Sequence, residues 1–185
     1  MTDRRRIYMI RHGEASANWT QAHDPGLSAL GAEQAAQAAQ QLAAIGALPV
    51  KSSPLKRARE TAAPYAKLHD APVEIIGTVA EIPSPGVALA DRQQWLLDIM
   101  AGGWATMGAV QNDWRAALIA SLLAQPADCA IFSHFVAINT AVGAANGVDD
   151  LISFRPANAS ITIFETDGRD LSLIELGHEA QTAVR

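Results

Sequence analysis

Short apolar runs alternate with longer amphipathic stretches along the 185-residue chain. "RIYMI" (6–10) is compact, apolar and bounded by charge, the pattern of a buried strand. "LSALGAEQAAQAAQQLAAIGA" (27–47) carries helical periodicity, with Ser28 placed to cap it, Glu33 in its first turns and Gly46 near its end. "PVKSS" (49–53) reads as a short strand running into a loop. "LKRARETAAPYAKLH" (55–69) is helical in pattern, with Pro64 marking a kink or break. "VEII" (73–76) and "DCAIFS" (128–133) read as further strands, the second followed by a helix over 136–146. "ASITIFET" (159–166) and "DLSLIEL" (170–176), joined through "DGR", form a hairpin pattern.

Residues 88–124 read as two helices carrying Trp95, Trp104 and Trp114, with Gly102 and Gly103 near the break. The alternation predicts an α/β three-layer sandwich: a central mostly parallel sheet, helices on both faces, and a small helical insertion. One domain over 1–185 is expected, residues 78–124 forming a lid-like insertion whose tryptophans serve mainly as packing.

Composition narrows the function classes. The formal charge is −5, from 14 basic and 19 acidic side chains, which argues against a general nucleic-acid or membrane-surface binder. No stretch is long and apolar enough to span a bilayer. "RRR" (4–6) precedes an apolar run too short for a signal peptide and reads as a solvated start to the first strand. Cys129 is the only cysteine, so no internal disulfide forms; within "DCAIFSH" it reads as a buried structural thiol. A cytoplasmic protein in a reducing compartment is expected.

The topology then brings chemistry together. Ligands of open α/β sheets bind beyond the carboxyl ends of the strands. Arg11 and His12 follow the first strand, Ser52, Ser53 and Arg57 the second, and His134 the one ending at Ser133. Two histidines and two arginines thus share one pocket. Guanidinium forks match phosphate oxygens, and an imidazole with one nitrogen fixed and the other free can attack phosphorus. A carboxylic acid of raised pKa can protonate the leaving oxygen. A zinc site from His12, His134 and a carboxylate is opposed by the arginines. Neither a dinucleotide fingerprint nor a P-loop occurs.

The motifs also resemble a known family. "RHGE" (11–14) with Asn18, "DPGLSALGAEQA" (24–35), "SSPLKRARETA" (52–62), "FSHFVAI" (132–138) and "NASIT" (158–162) occur in order over nearly the whole chain. Together they resemble the histidine phosphatase superfamily, the phosphoglycerate mutase-like proteins. The resemblance implies the α/β fold already read from periodicity, and no cofactor or metal. It implies that His12 accepts the phosphoryl group, that Arg11, Arg57 and His134 bind it, and that Asn18 lines the phosphate pocket. Glu81, in "VAEIPSPG", lies where the family commonly keeps its proton donor.

Two departures stand out. The family usually has glycine after the second histidine, where this chain has Phe135, able to narrow the pocket or turn into the core. The segment after Glu81 lacks the family's usual Glu-Gly pair. Glu14 either orients its loop or pairs with an arginine. Lys56 and Arg59 read as solvated, His23, His69 and His178 as surface residues, and Asp149 and Asp150 as a turn or helix cap. The expected function is metal-independent hydrolysis of a small phosphomonoester through a phosphohistidine on His12, with a small phosphorylated substrate as partner and neither nucleic acid nor membrane. The alternatives are a phosphoglycerate-type mutase, a protein phosphohistidine phosphatase, or a weakly catalytic phospho-ligand-binding protein.

Overall fold

The computed structural model describes residues 4–17 and 24–180. Its centre is a six-stranded sheet in the order β3-β2-β4-β1-β5-β6. The strands are β1 (Arg5–Arg11), β2 (Val50–Ser52), β3 (Val73–Ile75), β4 (Cys129–Ser133), β5 (Ile161–Thr166) and β6 (Leu171–Glu175). β1 to β4 run parallel, and β5 and β6 add the expected antiparallel hairpin. At its turn Asp167 accepts from the N–H groups of Arg169 and Asp170.

Alternation along β1 decides which helix lies where. Ile7 and Met9 face one side with Cys129 and Ile131 of β4. That side is covered by α4 (Ala109–Leu123) through Leu118 and Leu122, and by α5 (Phe135–Asn146) through Ala137, Ile138, Ala141 and Val142. Tyr8 and Ile10 face the other side with Ala130 and Phe132. There α1 (Ala29–Ala43) and α2 (Lys56–Leu68) pack through Ala38, Ala39, Leu42, Ala62, Tyr65 and Ala66. A side chain every second residue thus produces the three layers. The alanine-rich faces of α1 and α2 let the two helices lie close.

Ser28 caps α1 by accepting from Gly31 N–H, as its place in the sequence predicts. α5 ends at Gly147 in the left-handed conformation. Pro64, by contrast, does not break α2, which runs on to Leu68. The lost bond is offset by packing: Tyr65, fully buried one residue later, donates its hydroxyl to Gly46 O and accepts from Leu48 N–H. His69 also differs from expectation. It is half-buried, its ring edge-on to Tyr65 with centroids 4.8 Å apart, whereas His178 is exposed.

Residues 77–124 join β3 to β4. They contain α3 (Arg92–Met100), a 3₁₀ turn at Trp104–Thr106 and α4. Trp104 is buried, with Trp95, Leu96, Ile99 and Trp114 packed around it, and the cluster reaches Ile82, Phe135 and Val136. Asp149 holds the 3₁₀ turn, accepting from Trp104 N–H and Ala105 N–H, which fits the capping role expected of it. Among the described residues no helix is long and apolar enough to cross a membrane.

Candidate active site

The site forms where β1, β2 and β4 end side by side. Arg11 pairs with Ser133 across the parallel ladder, and His12 N–H donates to Ser133 O. His12 therefore leaves β1 just as His134 leaves β4. His134 is the N-cap residue of α5. Arg57 lies in the first turn of α2, whose leading amide, Lys56 N–H, is capped by Asp24 at 2.8 Å. Gly13 and Gly31 bring the loop after β1 against the start of α1. A Cβ on Gly13 would collide with the Gly31 carbonyl, and one on Gly31 with the Glu14 carbonyl.

His12, Arg57 and His134 are all buried, and their side chains touch. His12 Nδ1 lies 2.7 Å from Gly13 O. A carbonyl only accepts, so Nδ1 carries the proton and Nε2 holds the lone pair. Arg57 Nε donates to that Nε2 at 3.1 Å. The Arg57 terminal nitrogen also donates to His134 Nδ1 at 3.2 Å. The His134 Nε2–H then points to Ser53 Oγ, 2.7 Å away. The two imidazole centroids are 5.1 Å apart.

Arg11 closes another side. One terminal nitrogen donates to Pro156 O at 2.7 Å, and its guanidinium carbon sits 5.1 Å from the centroid of the Phe135 ring. Its Nε is buried and has no hydrogen-bond partner among the described residues. Phe135 itself is buried among the insertion's apolar side chains. The ring thus turns into the core while showing a face to Arg11.

Glu81 is buried, and its carboxyl accepts from Ile82 N–H and from Val136 N–H, each at 3.1 Å. The second of these donors belongs to the first turn of α5, the helix that His134 N-caps. Asn18 lies outside the described residues, as does His23. Glu14 is exposed and accepts from Ser28 Oγ, while its own N–H donates to Gln34, so it orients the loop.

The electrostatics follow from burial. Desolvation, reinforced by the charges of Arg57 and Arg11, holds His12 well below the ordinary imidazole range. His134 is lowered likewise, by burial first and then by His12 and the arginines. Burial raises Glu81 above the ordinary carboxyl value, against the pull of its two amide donors and of Arg57 and Arg11. Arg11 is lowered to about 10 by burial, so it stays charged at neutral pH. Cys129 is pushed up to about 12 by burial, the behaviour of an inert thiol.

Several participants had no role assigned from the sequence, although Ser53, Thr61 and Asn158 lie within its motif stretches. Ser53 partners His134. Thr61 accepts from Gly13 N–H and donates to Arg57 O. Asn158 donates to His12 O at 3.1 Å. Arg92, at the start of α3, lies near enough for its charge to lower both Arg57 and His134. The motif stretches were a signal for the first three; their partners, and the place of Arg92, depend on contacts distant in sequence.

The histidine phosphatase superfamily (branch 1) profile matches residues 7–178. The chain belongs to this superfamily. The uncharacterized protein Rv0525 of Mycobacterium tuberculosis is 44% identical over 78 residues, spanning 40% of this chain and 39% of that protein. Among solved structures of the fold, a phosphoserine phosphatase from Entamoeba histolytica in complex with 3-phosphoglyceric acid is 23% identical, with a TM-score of 0.74, covering 95% of this chain and 98% of that one. A mycobacterial glucosyl-3-phosphoglycerate phosphatase is 22% identical, with a TM-score of 0.71, covering 96% and 100%. At these identities the structural likeness is one of fold.

Proposed function

We propose that the protein hydrolyses a small phosphomonoester through a phosphohistidine on His12. The observation that carries this reading is the pair of hydrogen bonds on one ring: Nδ1–H is spent on Gly13 O, and Nε2 faces Arg57. That tautomer, kept neutral by burial, presents a lone pair suited to in-line attack on phosphorus.

In the first step Nε2 attacks phosphorus and the ester P–O bond breaks. The departing oxygen takes the carboxyl proton of Glu81, which burial favours keeping. Arg57 moves from Nε2 to the phosphoryl oxygens, joined by the spare buried Nε–H of Arg11. A proton brought in by the monoanionic phosphate and taken up at His134 Nδ1 leaves both ring nitrogens donating, Nε2–H to Ser53 Oγ and Nδ1–H to the phosphoryl group. In the second step water attacks phosphorus, its proton passes to the Glu81 carboxylate, and the P–Nε2 bond breaks. Asn18 lines the phosphate pocket in this reading. Residues 78–124 serve as a lid-like insertion of a single domain, and the setting is cytoplasmic.

One observation favours a second reading, a phospho-ligand-binding protein with little turnover: Arg57 Nε–H already occupies the lone pair that must attack. The two separate in one assay. The protein is given a chromogenic phosphomonoester and a panel of phosphorylated metabolites, with a chelator present. Release of phosphate that survives chelation supports the metal-independent phosphatase. Loss of turnover on chelation contradicts its metal independence. Tight phosphate binding without turnover on any substrate favours the binder. With phosphoglycerates, free phosphate rather than an isomer separates the phosphatase from a mutase.

A further inference from the structure

We propose that Phe135 is a positioning residue, whose ring holds the Arg11 guanidinium in place and ties the packing of the 77–124 segment to the phosphate clamp. The inference rests on the phosphate-binding reading of the site and deepens it.

Three observations meet at this residue. The first is geometric: the Arg11 guanidinium carbon lies 5.1 Å from the ring centroid, within reach of a cation–π contact. Arg11 ends β1, and Phe135 lies two residues beyond Ser133, its partner across the ladder. The sheet register therefore sets the two side chains against each other.

The second is how little else fixes Arg11. Among the described residues its side chain has one hydrogen bond, to Pro156 O, and its Nε is buried without a partner. A buried guanidinium with donors to spare is suited to an anion only if something holds its plane. A single carbonyl leaves rotation about that bond open. The ring face removes that freedom and takes up none of the donors.

The third is what lies behind the ring. Phe135 packs with Ile82, Trp104, Val136 and Leu151, and with half-buried Trp95 and Leu96 of α3. Ile82 follows Glu81, and Val136 N–H donates to the Glu81 carboxyl. A shift of α3 would thus move the ring, and with it Arg11, at the same time as the carboxyl.

A residue that serves packing alone predicts something different from a residue that holds Arg11. Phe135→Leu keeps an apolar side chain in the cluster and removes the π face; Phe135→Tyr keeps the face. The probe is inorganic phosphate, titrated by calorimetry, with the unfolding temperature read on each variant. Phe135→Leu should weaken phosphate binding about tenfold while remaining folded, and Phe135→Tyr should stay within about twofold of the parent. In an Arg11→Met background the same Phe135→Leu change should alter phosphate affinity by less than about twofold, because the guanidinium it acts through is gone. Phe135→Met is the second ringless variant should Phe135→Leu fail to fold. Unchanged affinity in the ringless variant overturns the proposal. So does an equal loss with and without Arg11, or the unfolding of both ringless variants. A parent protein that binds no phosphate sinks the reading of the site itself, and this inference with it.

Discussion

Arg57 Nε donates to His12 Nε2 across 3.1 Å, so the side chain proposed to clamp a phosphoryl group rests on the atom proposed to attack it. The contact keeps the imidazole neutral, since a protonated Nε2 would face a guanidinium. It also fixes the ring from the side opposite Gly13. The same arginine bridges to His134, so one side chain organises both histidines.

Arg57→Ala should therefore act in two ways. Loss of a preorganised donor should lower kcat/KM by about a hundredfold to a thousandfold. Removal of its charge should also let the His12 pKa rise toward its ordinary value, because Arg57 is the largest charge holding it down. The acid limb of the pH–rate profile should then move to higher pH. A slow variant whose acid limb has not moved would contradict the electrostatic part.

In the proposed reaction, Glu81 and His12 set the two limbs of the pH–rate profile. His12 works unprotonated, and its pKa is lowered, so activity is lost only as pH falls below the ordinary imidazole range. Glu81 works protonated, and its pKa is raised, so activity on a poor leaving group is lost as pH rises through that raised value. A phosphomonoester has its own second ionisation near about 6, so the alkaline limb is assigned by difference. Glu81→Gln should abolish it for an alkyl phosphate and slow that substrate by about a hundredfold or more, while costing much less on a nitrophenyl ester. An equal loss on both esters would count against the proton-donor role.

Stability should fall in acid for a separate reason. His12 and His134 are buried and have depressed pKa values. The unfolded chain takes up their protons as pH drops through about 6.5, and the folded protein does not. Their contribution is present above that pH. Below it, each histidine removes about 1.4 kcal/mol per pH unit until its folded pKa is reached. Glu81, with a raised pKa, works in the opposite sense between its unfolded and folded values. Thermal unfolding followed from neutral pH downward should show the loss, and His134→Asn should make the curve shallower. A curve of unchanged slope in that variant would refute the assignment.

Much of this was legible because the relevant residues stand next to clear strand patterns. "RIYMI" alternates its side chains across the sheet and delivers Arg11 and His12 to the carboxyl edge, and "CAIFS" does the same for His134. Glu81 was less evident, since it sits in a loop and its place depends on Val136 N–H, 55 residues away. Asn158 and Thr61 stand inside the "NASIT" and "SSPLKRARETA" stretches, but what they support was hidden for the same reason: Asn158 reaches His12 across 146 positions, and Thr61 reaches Gly13 across 48. Pro64 pointed to a kink or a break; the helix is not broken, and the burial of Tyr65 one residue later packs it against the sheet. Phe135 could be read either way from sequence; in the fold its ring is buried in the core, with the Arg11 guanidinium over one face.

The most direct test is to trap the intermediate. The protein is mixed with a phosphorus-labelled phosphomonoester, quenched in base within a turnover, digested and mapped. The account predicts label on Nε2 of His12, stable in base and labile in acid, accumulating in Glu81→Gln with a poor leaving group only as fast as the ester is cleaved, and absent from His12→Ala, which should also lose turnover. Sustained phosphate release by His12→Ala, or label on any residue other than His12, would contradict it.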